Sequence, residues 1–446
     1  MRVPLSTTIK NKKLYFLNGN YTNVAFFVTG AIPTILIFLA MFGATGCDQP
    51  DNSFTCMDDL GCIHISPQEP LNIGVLQALS GDVGPLGKEQ VRGIELALAE
   101  RSGNILGHPV NLQIEDTGCS SEGGANAVLK IIADPKIIGI LGTTCSSAAA
   151  SAAKAMSTAG LSMISGNNSA PFLTSIGGQK APFWQKGYFR TAPNEENAGK
   201  TAAIYAFKKL NIHKAATIND GDIYSKGLTD GFEAAFIELG GEITLTASIS
   251  KGDDEMEPVL TAVINSDAHL LFFPLFQPEG NHILLHTKKL AAFKNITLMS
   301  DGALLEHSFL EAVSDKAIGM YFIGPSYHKG KGVDILNNKY ELKYKKPPSA
   351  SYYQSSFDAA NLLFQAIEDV AQHTSNGSLY IGRQAIRDAL YTTKNFNGIT
   401  GWLECDNFGD CAVPRFHILR MDNPKLGLKG LLNNIMFSYP EDLKEQ

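Results

Sequence analysis

Short apolar runs alternate with amphipathic segments from residue 71 onward, and this alternation constrains the fold of the chain more than any other feature. Four of the runs are typical of buried strands: LNIGVLQAL, HPVNLQIED, IIGILGTT and LSMIS. The segments between them have helical periodicity at residues 88–101, 123–134 and 146–159. Strand and helix in strict alternation predict an α/β fold, with a parallel sheet covered by helices on both faces.

The same pattern begins again after residue 192. Strands are predicted at KAATIND, EITLTASIS, HLLFFP and ITLMS, and helices at residues 195–209, 228–239, 259–265 and 282–292. A third stretch is helical at residues 352–371 and 381–391, and TGWLECDNFGDCAVPRFHIL is interpreted as a strand pair around a turn. Two α/β units therefore follow one another.

An apolar stretch without charged residues, at residues 24–43, precedes these units. It has about the 20 residues that span a bilayer and follows a basic N-terminus, so we interpret it as an export segment. The residues Ala-Thr-Gly before Cys47 resemble a bacterial lipobox, which predicts cleavage after residue 46 and acylation of Cys47. The alternative is an uncleaved transmembrane anchor. Asp48 resembles the signal that retains lipoproteins in the inner membrane.

The chain has seven cysteines, an odd number. Apart from Cys47, six remain, and sequence alone permits fifteen pairings among them. We predict that neighbours in sequence pair, as Cys56–Cys62, Cys119–Cys145 and Cys405–Cys411. Disulfides imply an oxidising compartment. No metal site is expected, because the close cysteine doublets and spaced histidines of a zinc site are missing from the sequence.

Charge and motifs exclude several classes of function. The chain carries 44 acidic and 37 basic residues, for a net charge of −7, and no long basic run follows residue 13, so nucleic acid is not an expected partner. The motifs G-x-G-x-x-G, G-x-S-x-G and HExxH do not occur, and Gly199-Lys200-Thr201 lacks the first glycine of a phosphate loop. We expect neither catalysis nor a cofactor.

Small polar groups follow several of the predicted strands. They are Ser80-Gly81, Cys145-Ser146-Ser147 and the residues 165–169. Doubly wound sheets bind ligands at the carboxyl ends of their strands, where helix N-termini favour negative charge. Hydroxyls and amides placed there suit a carboxylate, although helix capping by Ser146 and Ser147 is the alternative.

Two segments, LNIGVLQALSGDVGPLGKEQVRGIELALAE and LGTTCSSAAASAAKAMSTAGLSMISGNNSAP, resemble the branched-chain amino acid (leucine/isoleucine/valine) binding proteins of bacterial ABC importers. The resemblance runs from about Leu71 to Leu419. Its most specific elements are S-G-x-x-x-x-x-G, the C-S-S helix start and the placement of Cys119 and Cys145. It implies the fold of a type I periplasmic binding protein: two doubly wound parallel-sheet lobes joined by a three-segment hinge.

The resemblance also implies contacts to the charged ends of a ligand. Ser146 and Ser169 match positions that bind the α-carboxylate. Asn168 would offer its carbonyl to the ligand ammonium, and Asp301 would be the acidic partner of that group. An α-amino acid needs this combination of hydroxyls, amides and one carboxylate.

Other positions would contact the ligand side chain. Tyr224 matches a ligand-contacting tyrosine and Phe276 an aromatic wall position. Leu86 stands where the family usually has an aromatic residue, and Tyr352 or Tyr353 would face the side chain. These departures leave the ligand open. Asp301 favours a ligand with an amine, so we expect an amino acid, branched-chain or related, with an amide, urea or aromatic acid as the alternatives.

The expected organisation follows from the resemblance. A lipoprotein signal peptide occupies residues 1–46 and a tether 47–70, and the C-terminal tail is 426–446. Lobe 1 comprises residues 71–191 and 325–400, and lobe 2 comprises 192–324 and 401–425. The chain would cross between the lobes near residues 190–194, 324–326 and 399–401.

The function implied is that of a monomeric solute-binding lipoprotein. It would capture its ligand by hinge closure and deliver it to ABC permease subunits. Its lipid anchor would hold it on the periplasmic or outer face of the bacterial cytoplasmic membrane. A sensory or regulatory protein of the same fold is the alternative, and an enzyme on this scaffold is a third hypothesis.

Overall fold

The structure is a computed structural model that describes residues 54–326, 329–350 and 352–440. The expected export segment, its cleavage site and Cys47 lie outside these residues. Within the described residues, no helix has the length and apolar character needed to cross a bilayer.

Lobe 1 is built on a six-stranded sheet, parallel except for its short first strand. In spatial order its strands are Asn104–Ile105, His108–Asp116, Leu71–Gln77, Ile137–Gly142, Met163–Ser165 and Tyr188–Arg190. All six residues of Ile137–Gly142 are buried, as expected for a strand covered on both faces. The α-helices of this lobe are Gly84–Glu100, Ser121–Ile132, Ser146–Thr158, Lys331–Tyr344, Tyr352–Val370 and Arg383–Tyr391.

Lobe 2 is built on a seven-stranded sheet. Its first five strands are parallel, and the sixth runs antiparallel to both of its neighbours, the fifth and the seventh. In spatial order these are Glu242–Ser248, Lys214–Asn219, Leu270–Phe272, Thr297–Asp301, Tyr321–Pro325, Phe416–Arg420 and Ile435–Tyr439. The α-helices of this lobe are Glu196–Ile204, Ile223–Glu238, Glu257–Asn265, Glu279–Thr287, His307–Val313 and Gly427–Asn433. Their order confirms the predicted alternation.

Smaller sheets, hairpins and helical turns accompany the two main sheets. A three-stranded sheet has the order Cys62–Ile65, Leu379–Gly382 and Gln372–His373, and two hairpins are Phe396–Gly398 with Gly401–Leu403 and Ser175–Ile176 with Gln179–Lys180. One π-helical turn is Tyr205–Lys209, and the short 3₁₀ helices are Pro171–Leu173, Ala291–Asn295, Gly302–Leu304, Ser314–Ala317 and Pro424–Leu426.

Close packing of two long helices fixes the core of lobe 1. The helix Gly84–Glu100 lies against Tyr352–Val370, and a Cβ atom at Gly93 would come within 2.1 Å of the Tyr353 carbonyl oxygen. Glycine is therefore required at position 93 for this approach. Burial of Tyr353 follows from the same contact: only 1% of its surface is exposed, so it packs in the core while its neighbour Tyr352 faces the space between the lobes.

Three connections join the lobes. They follow the strands Tyr188–Arg190 and Tyr321–Pro325 and precede the strand Phe416–Arg420. The first two agree with the predicted crossings. The third prediction, residues 399–401, is wrong: Gly401–Leu403 forms a hairpin inside lobe 1, and the crossing lies at residues 412–415. The proposed strand pair in TGWLECDNFGDCAVPRFHIL is wrong for the same reason, since its two strands belong to different sheets.

Three segments differ from the predicted organisation. The expected tether contains the strand Cys62–Ile65, which pairs with Leu379–Gly382 and buries Ile63 and Ile65. The expected C-terminal tail contains a helix and the strand Ile435–Tyr439, which extends the sheet of lobe 2. Residues 401–411 belong to lobe 1, because Leu403, Cys405 and Cys411 lie in its core.

The three predicted disulfides are all present. Cys56–Cys62 and Cys405–Cys411 each close a loop with a sequence separation of 6, and Cys119–Cys145 has a separation of 26. Cys119–Cys145 joins the loop before the helix Ser121–Ile132 to the first residues of the helix Ser146–Thr158. It therefore fixes the relative position of two loops at the carboxyl end of the sheet.

Candidate functional site

A small cavity lies between the two lobes at the carboxyl ends of their parallel strands. Its lining from lobe 1 and lobe 2 comprises Leu86, Thr144, Ser146, Asn167, Ser169, Tyr224, Phe276, Ala303 and Tyr352. Six of these are residues that the resemblance implicates in ligand binding. The cavity leaves about 10 Å³ of free space for a water-sized sphere, roughly enough for a single water molecule. A larger ligand therefore requires the lobes to separate from this arrangement.

The lobe 1 side of the cavity is the start of a helix. The helix Ser146–Thr158 has Cys145 as its N-cap, and that residue makes no side-chain capping bond. Ser146 occupies the first helical position, and its Oγ accepts a long bond of 3.4 Å from the Ala170 amide. The hydroxyl proton and the first amides of the helix are thus directed to where a carboxylate would be stabilised. Ser146 does not act as the helix cap.

Asn167 and Asn168 have different roles. Asn167 lines the cavity, its Nδ2 donates to the Thr144 carbonyl at 2.7 Å, and its buried Oδ1 has no hydrogen-bond partner within the described structure. Asn168 lies outside the lining. Its Oδ1 accepts from the Thr143 amide and from Tyr188 Oη, both at 3.1 Å. The Asn168 carbonyl accepts from Arg190 at 3.3 Å, and its contact with a ligand ammonium stays a prediction. Asn167 presents a buried oxygen without a partner at the cavity.

Arg190 fixes the loop that carries these residues. Its side chain is fully buried and donates to the carbonyls of Asn168 at 3.3 Å and Ala170 at 2.8 Å, and to Asp410 Oδ1 at 2.5 Å. Burial alone would raise the pKa of Asp410, but the neighbouring guanidinium holds it below its ordinary value. Asp410 lies in the Cys405–Cys411 loop, so this disulfide loop contacts the Arg190 side chain that holds the loop of Asn168 and Ala170.

Two buried carboxyl groups lie beside the cavity. Ser169 Oγ donates to Glu195 Oε2 at 2.7 Å, and Tyr224 Oη donates to Asp301 Oδ2. Burial raises the pKa of Glu195 to about 8, and the charge of Asp301 contributes to that rise. Burial also raises the pKa of Asp301 to about 7, against the lowering effect of the Tyr224 hydrogen bond. Both groups would be stabilised in their charged form by a ligand cation.

Glu195 was not identified from the sequence. It lies in the first connection between the lobes. Two adjacent acids, Glu195 and Glu196, give no periodic pattern or motif there. Its position becomes informative only because the fold brings it within electrostatic range of Asp301, which is 106 residues later in the chain. Its amide also donates to the Ser169 carbonyl at 3.0 Å, so both its backbone and its side chain are held by the loop of lobe 1.

The remaining walls are aromatic and aliphatic. The rings of Tyr224 and Phe276 lie 5.1 Å apart between centroids at an interplanar angle of 34°. Leu86 comes from lobe 1 and is 1% exposed. Tyr352 reaches from the lobe 1 helix to lobe 2, where its Oη donates to the Gly302 carbonyl at 2.9 Å. This part of the cavity suits an apolar group.

No cluster of three or more His, Cys, Asp or Glu side chains suited to a metal ion occurs in residues 54–326, 329–350 and 352–440. The chemistry on offer is that of recognition. Hydroxyls and helix amides lie on one side, buried carboxyls and an amide oxygen lie on another, and an apolar wall completes the cavity.

Comparisons with known proteins agree with this fold. The family model described as "Periplasmic binding protein" matches residues 70–409. The Leu/Ile/Val-binding protein BraC3 of Rhizobium johnstonii is 24% identical over 358 residues, which cover 80% of this chain and 93% of that protein.

Two solved structures illustrate the structural similarity. The branched-chain amino acid transporter substrate binding protein LivJ from Streptococcus pneumoniae, in complex with isoleucine, has a TM-score of 0.69 at 20% identity and covers 83% of this chain and 98% of its own. An ABC transporter solute binding protein from R. palustris, in complex with benzoate, has a TM-score of 0.66 at 19% identity, with coverages of 79% and 93%. The predicted type I periplasmic binding protein fold is confirmed.

Proposed function

The chain belongs to the periplasmic binding protein family, and we propose that it captures an α-amino acid between its lobes and delivers it to the permease of an ABC importer. The family and fold are those of solute-binding proteins and not of enzymes. The observation that carries the proposal is the pair of buried carboxyls, Glu195 and Asp301, beside a cavity that is also lined by a helix start favourable to an anion. A zwitterion matches both.

The α-carboxylate would bind at the start of the helix Ser146–Thr158. Ser146 supplies a hydroxyl, and the first amides of the helix have no intrahelical acceptors. Ser169 would contribute a second hydroxyl from the neighbouring loop after its proton turns away from Glu195, to which it donates in the present arrangement. Each hydrogen bond to a charged group in such a site contributes about 1.5–3 kcal/mol.

The ammonium group would bind on the opposite side, among oxygen atoms. Asp301 supplies the formal charge, and Glu195 adds a second carboxyl within electrostatic range. Asn167 Oδ1 would accept one ammonium proton, which would satisfy an oxygen that is buried without a partner. Since an unsatisfied buried acceptor costs about 1–3 kcal/mol, the ligand supplies what the folded protein lacks at this position.

Once the lobes have separated, the ligand side chain would lie against Leu86, Phe276 and Tyr352, which offer an aliphatic group an apolar surface and no charged partner. Support for a branched-chain or related amino acid comes from the relatives named above as Leu/Ile/Val-binding and from the isoleucine complex. Tyr224 would close over the ligand from lobe 2 while its hydroxyl holds Asp301. Closure would exclude water from both charged ends and so strengthen each contact.

The closed protein would then dock on permease subunits, as a monomer. We propose that acylation of Cys47 anchors it on the outward face of the cytoplasmic membrane, which would keep it near that permease. A small aromatic acid is the second candidate ligand, because a protein of the same fold is known in complex with benzoate. An anion of that kind would bring no cation to Glu195 and Asp301.

Isothermal titration of the purified residues 54–440 against a panel separates these candidates. The panel contains the aliphatic, aromatic and polar L-amino acids, their amides, urea, and benzoate with its hydroxylated forms. We expect one or a few α-amino acids to bind and amine-free acids not to bind. Binding of benzoate alone would overturn the proposal in favour of the second candidate.

A further inference from the structure

A second, larger cavity lies at the hinge. Its volume is about 340 Å³, and all three connections between the lobes contribute to its lining. Residues 191–193 come from the first connection, Pro325 and Ser326 from the second, and Ala412, Val413 and Arg415 from the third. A volume of this size lies at the lower end of the range for small-molecule sites.

Tyr352 separates this hinge cavity from the cavity between the lobes. It lines both of them, and its hydroxyl donates to the Gly302 carbonyl at 2.9 Å. Apart from Tyr352, the residues proposed to bind the amino acid, such as Ser146 and Asp301, do not line the hinge cavity. A molecule in the hinge cavity would therefore make its own set of contacts.

Arg415 gives the hinge cavity its charge. Among the described residues that line the cavity, Arg415 is the one charged side chain, and its buried Nε has no hydrogen-bond partner. Its backbone is fixed, because its carbonyl accepts from the Ser326 amide at 2.8 Å. A guanidinium that lines a cleft is suited to a carboxylate, which arginine can bind with two parallel hydrogen bonds.

Asp358, an acid close to the cavity lining, binds groups of its own loop. Thr400 lines the cavity, but its hydroxyl and its amide both donate to Asp358, at 2.5 Å and 2.8 Å. The Ile399 amide donates to the other oxygen of Asp358 at 2.7 Å. Asp358 therefore binds its own loop and does not line the hinge cavity.

The rest of the lining combines uncharged polar side chains, such as Gln354 and Ser355, with apolar ones. Trp402, 60% exposed, forms one wall, and Pro193, Pro325, Ala412 and Val413 form others. An exposed tryptophan and an arginine that line the same cavity suit a ligand with an apolar body and one negative charge. We propose that the hinge cavity is a second ligand site, which binds a small monocarboxylic acid with its carboxylate on Arg415 and its apolar body on Trp402.

Trp402 offers a direct test. The chain has two tryptophans, so Trp184→Phe leaves Trp402 as the sole tryptophan, whose emission can be excited selectively over that of the tyrosines. Titration of this variant with cyclohexanecarboxylate gives a saturable change in emission, and cyclohexanecarboxamide, the uncharged analogue, binds at least tenfold more weakly. Arg415→Gln in the same background abolishes the saturable change. Calorimetry of the parent protein and of Arg415→Gln alone gives the same comparison if Trp184→Phe does not fold.

Ser146→Ala distinguishes the two sites. It lies in the cavity between the lobes, so it leaves the affinity for cyclohexanecarboxylate unchanged if the hinge site is real. Absence of saturable binding, equal affinity in Arg415→Gln, or loss of binding in Ser146→Ala with retention in Arg415→Gln would each overturn the proposal. The test does not depend on which amino acid, if any, binds between the lobes.

Discussion

Replacement of Asp301 by asparagine isolates the charge that is proposed to bind the ligand ammonium. The variant keeps an oxygen in place for the hydrogen bonds from Tyr224 and the Ala303 amide, so the loop geometry should persist. It removes one charge-assisted contact worth about 1.5–3 kcal/mol. Because 1.4 kcal/mol is a tenfold change in Kd, the affinity for an amino acid should fall by about 10- to 150-fold.

The same variant should not destabilise the ligand-free protein. Burial raises the pKa of Asp301 to about 7, so at pH 8 the folded state carries an ionised group that its surroundings disfavour. The shift from an ordinary pKa near 4 corresponds to at most about 4 kcal/mol of lost stability above pH 7. Asp301→Asn removes that cost, and its Tm at pH 8 should equal or exceed that of the parent protein.

The assay is isothermal titration at pH 8 with the amino acid that binds most tightly to the parent. Asp267→Asn is the matched control, since Asp267 lies in the same lobe with its side chain 73% exposed and pairs with Lys214 at the surface. It should bind like the parent. Unchanged affinity in Asp301→Asn, with an unaltered Tm, would refute the assignment of Asp301 to the ammonium.

Three further predictions concern the other parts of the site. Ser146→Ala should raise the Kd of the amino acid by about 10- to 150-fold by loss of one hydrogen bond to the carboxylate, and a calorimetric change below twofold would contradict this. Loss of the disulfide in Cys119→Ser/Cys145→Ser should lower the free energy of unfolding by about 3–4 kcal/mol in the loop-entropy model. It should also weaken amino acid binding, because the bond holds the start of the Ser146 helix. Urea denaturation measures the stability and calorimetric titration the affinity, and normal affinity at reduced stability would contradict a role of the disulfide in holding the binding loop. Finally, the folded-state pKa values of Glu195 and Asp301, about 8 and about 7, lie above those of the unfolded chain, so these groups stabilise the fold fully below pH 4 and lose that contribution as pH rises to about 8. The difference in unfolding free energy between parent and Glu195→Gln should therefore change over pH 5–8, while amino acid affinity rises over the same interval; a difference independent of pH would contradict the assignment.

The local part of the fold could be predicted from the sequence. Apolar runs such as Ile137–Gly142 are buried on both faces and need no distant information to be identified as strands. The pairing of Cys405 with Cys411 is also local, because six residues separate them. The helices that were predicted agree for the same reason, since periodicity is a property of neighbouring residues. The helices His307–Val313, Lys331–Tyr344 and Gly427–Asn433 were not predicted.

Long-range pairing was the part that the sequence did not disclose. Cys62–Ile65 finds its partner in Leu379–Gly382, more than 300 residues away, and nothing in either segment identifies the other. Ile435–Tyr439 similarly joins a sheet edge that is created by the third crossing. A short strand whose partner is distant in sequence has no local pattern that separates it from a loop.

The site shows the same division. Ser146 is predicted from its place after a strand, because parallel strands end at one edge of the sheet, whereas Asp301 is predicted from the family resemblance. Asn167 lines the cavity and Asn168 does not. Neighbouring loop residues point in different directions, and no periodicity in the sequence fixes which one faces the cavity. Glu195 was missed because its importance depends on its approach to Asp301 in the folded chain.

The central claim, that the site recognises an α-amino acid by both charged ends, is tested most directly with matched ligands. The amino acid that binds most tightly is titrated beside the analogue in which hydrogen replaces its amino group, and both affinities are measured by calorimetry at pH 8. Loss of the ammonium contacts to Asp301 and Asn167 should weaken binding by at least about 100-fold. Equal affinity of the two molecules would contradict the claim.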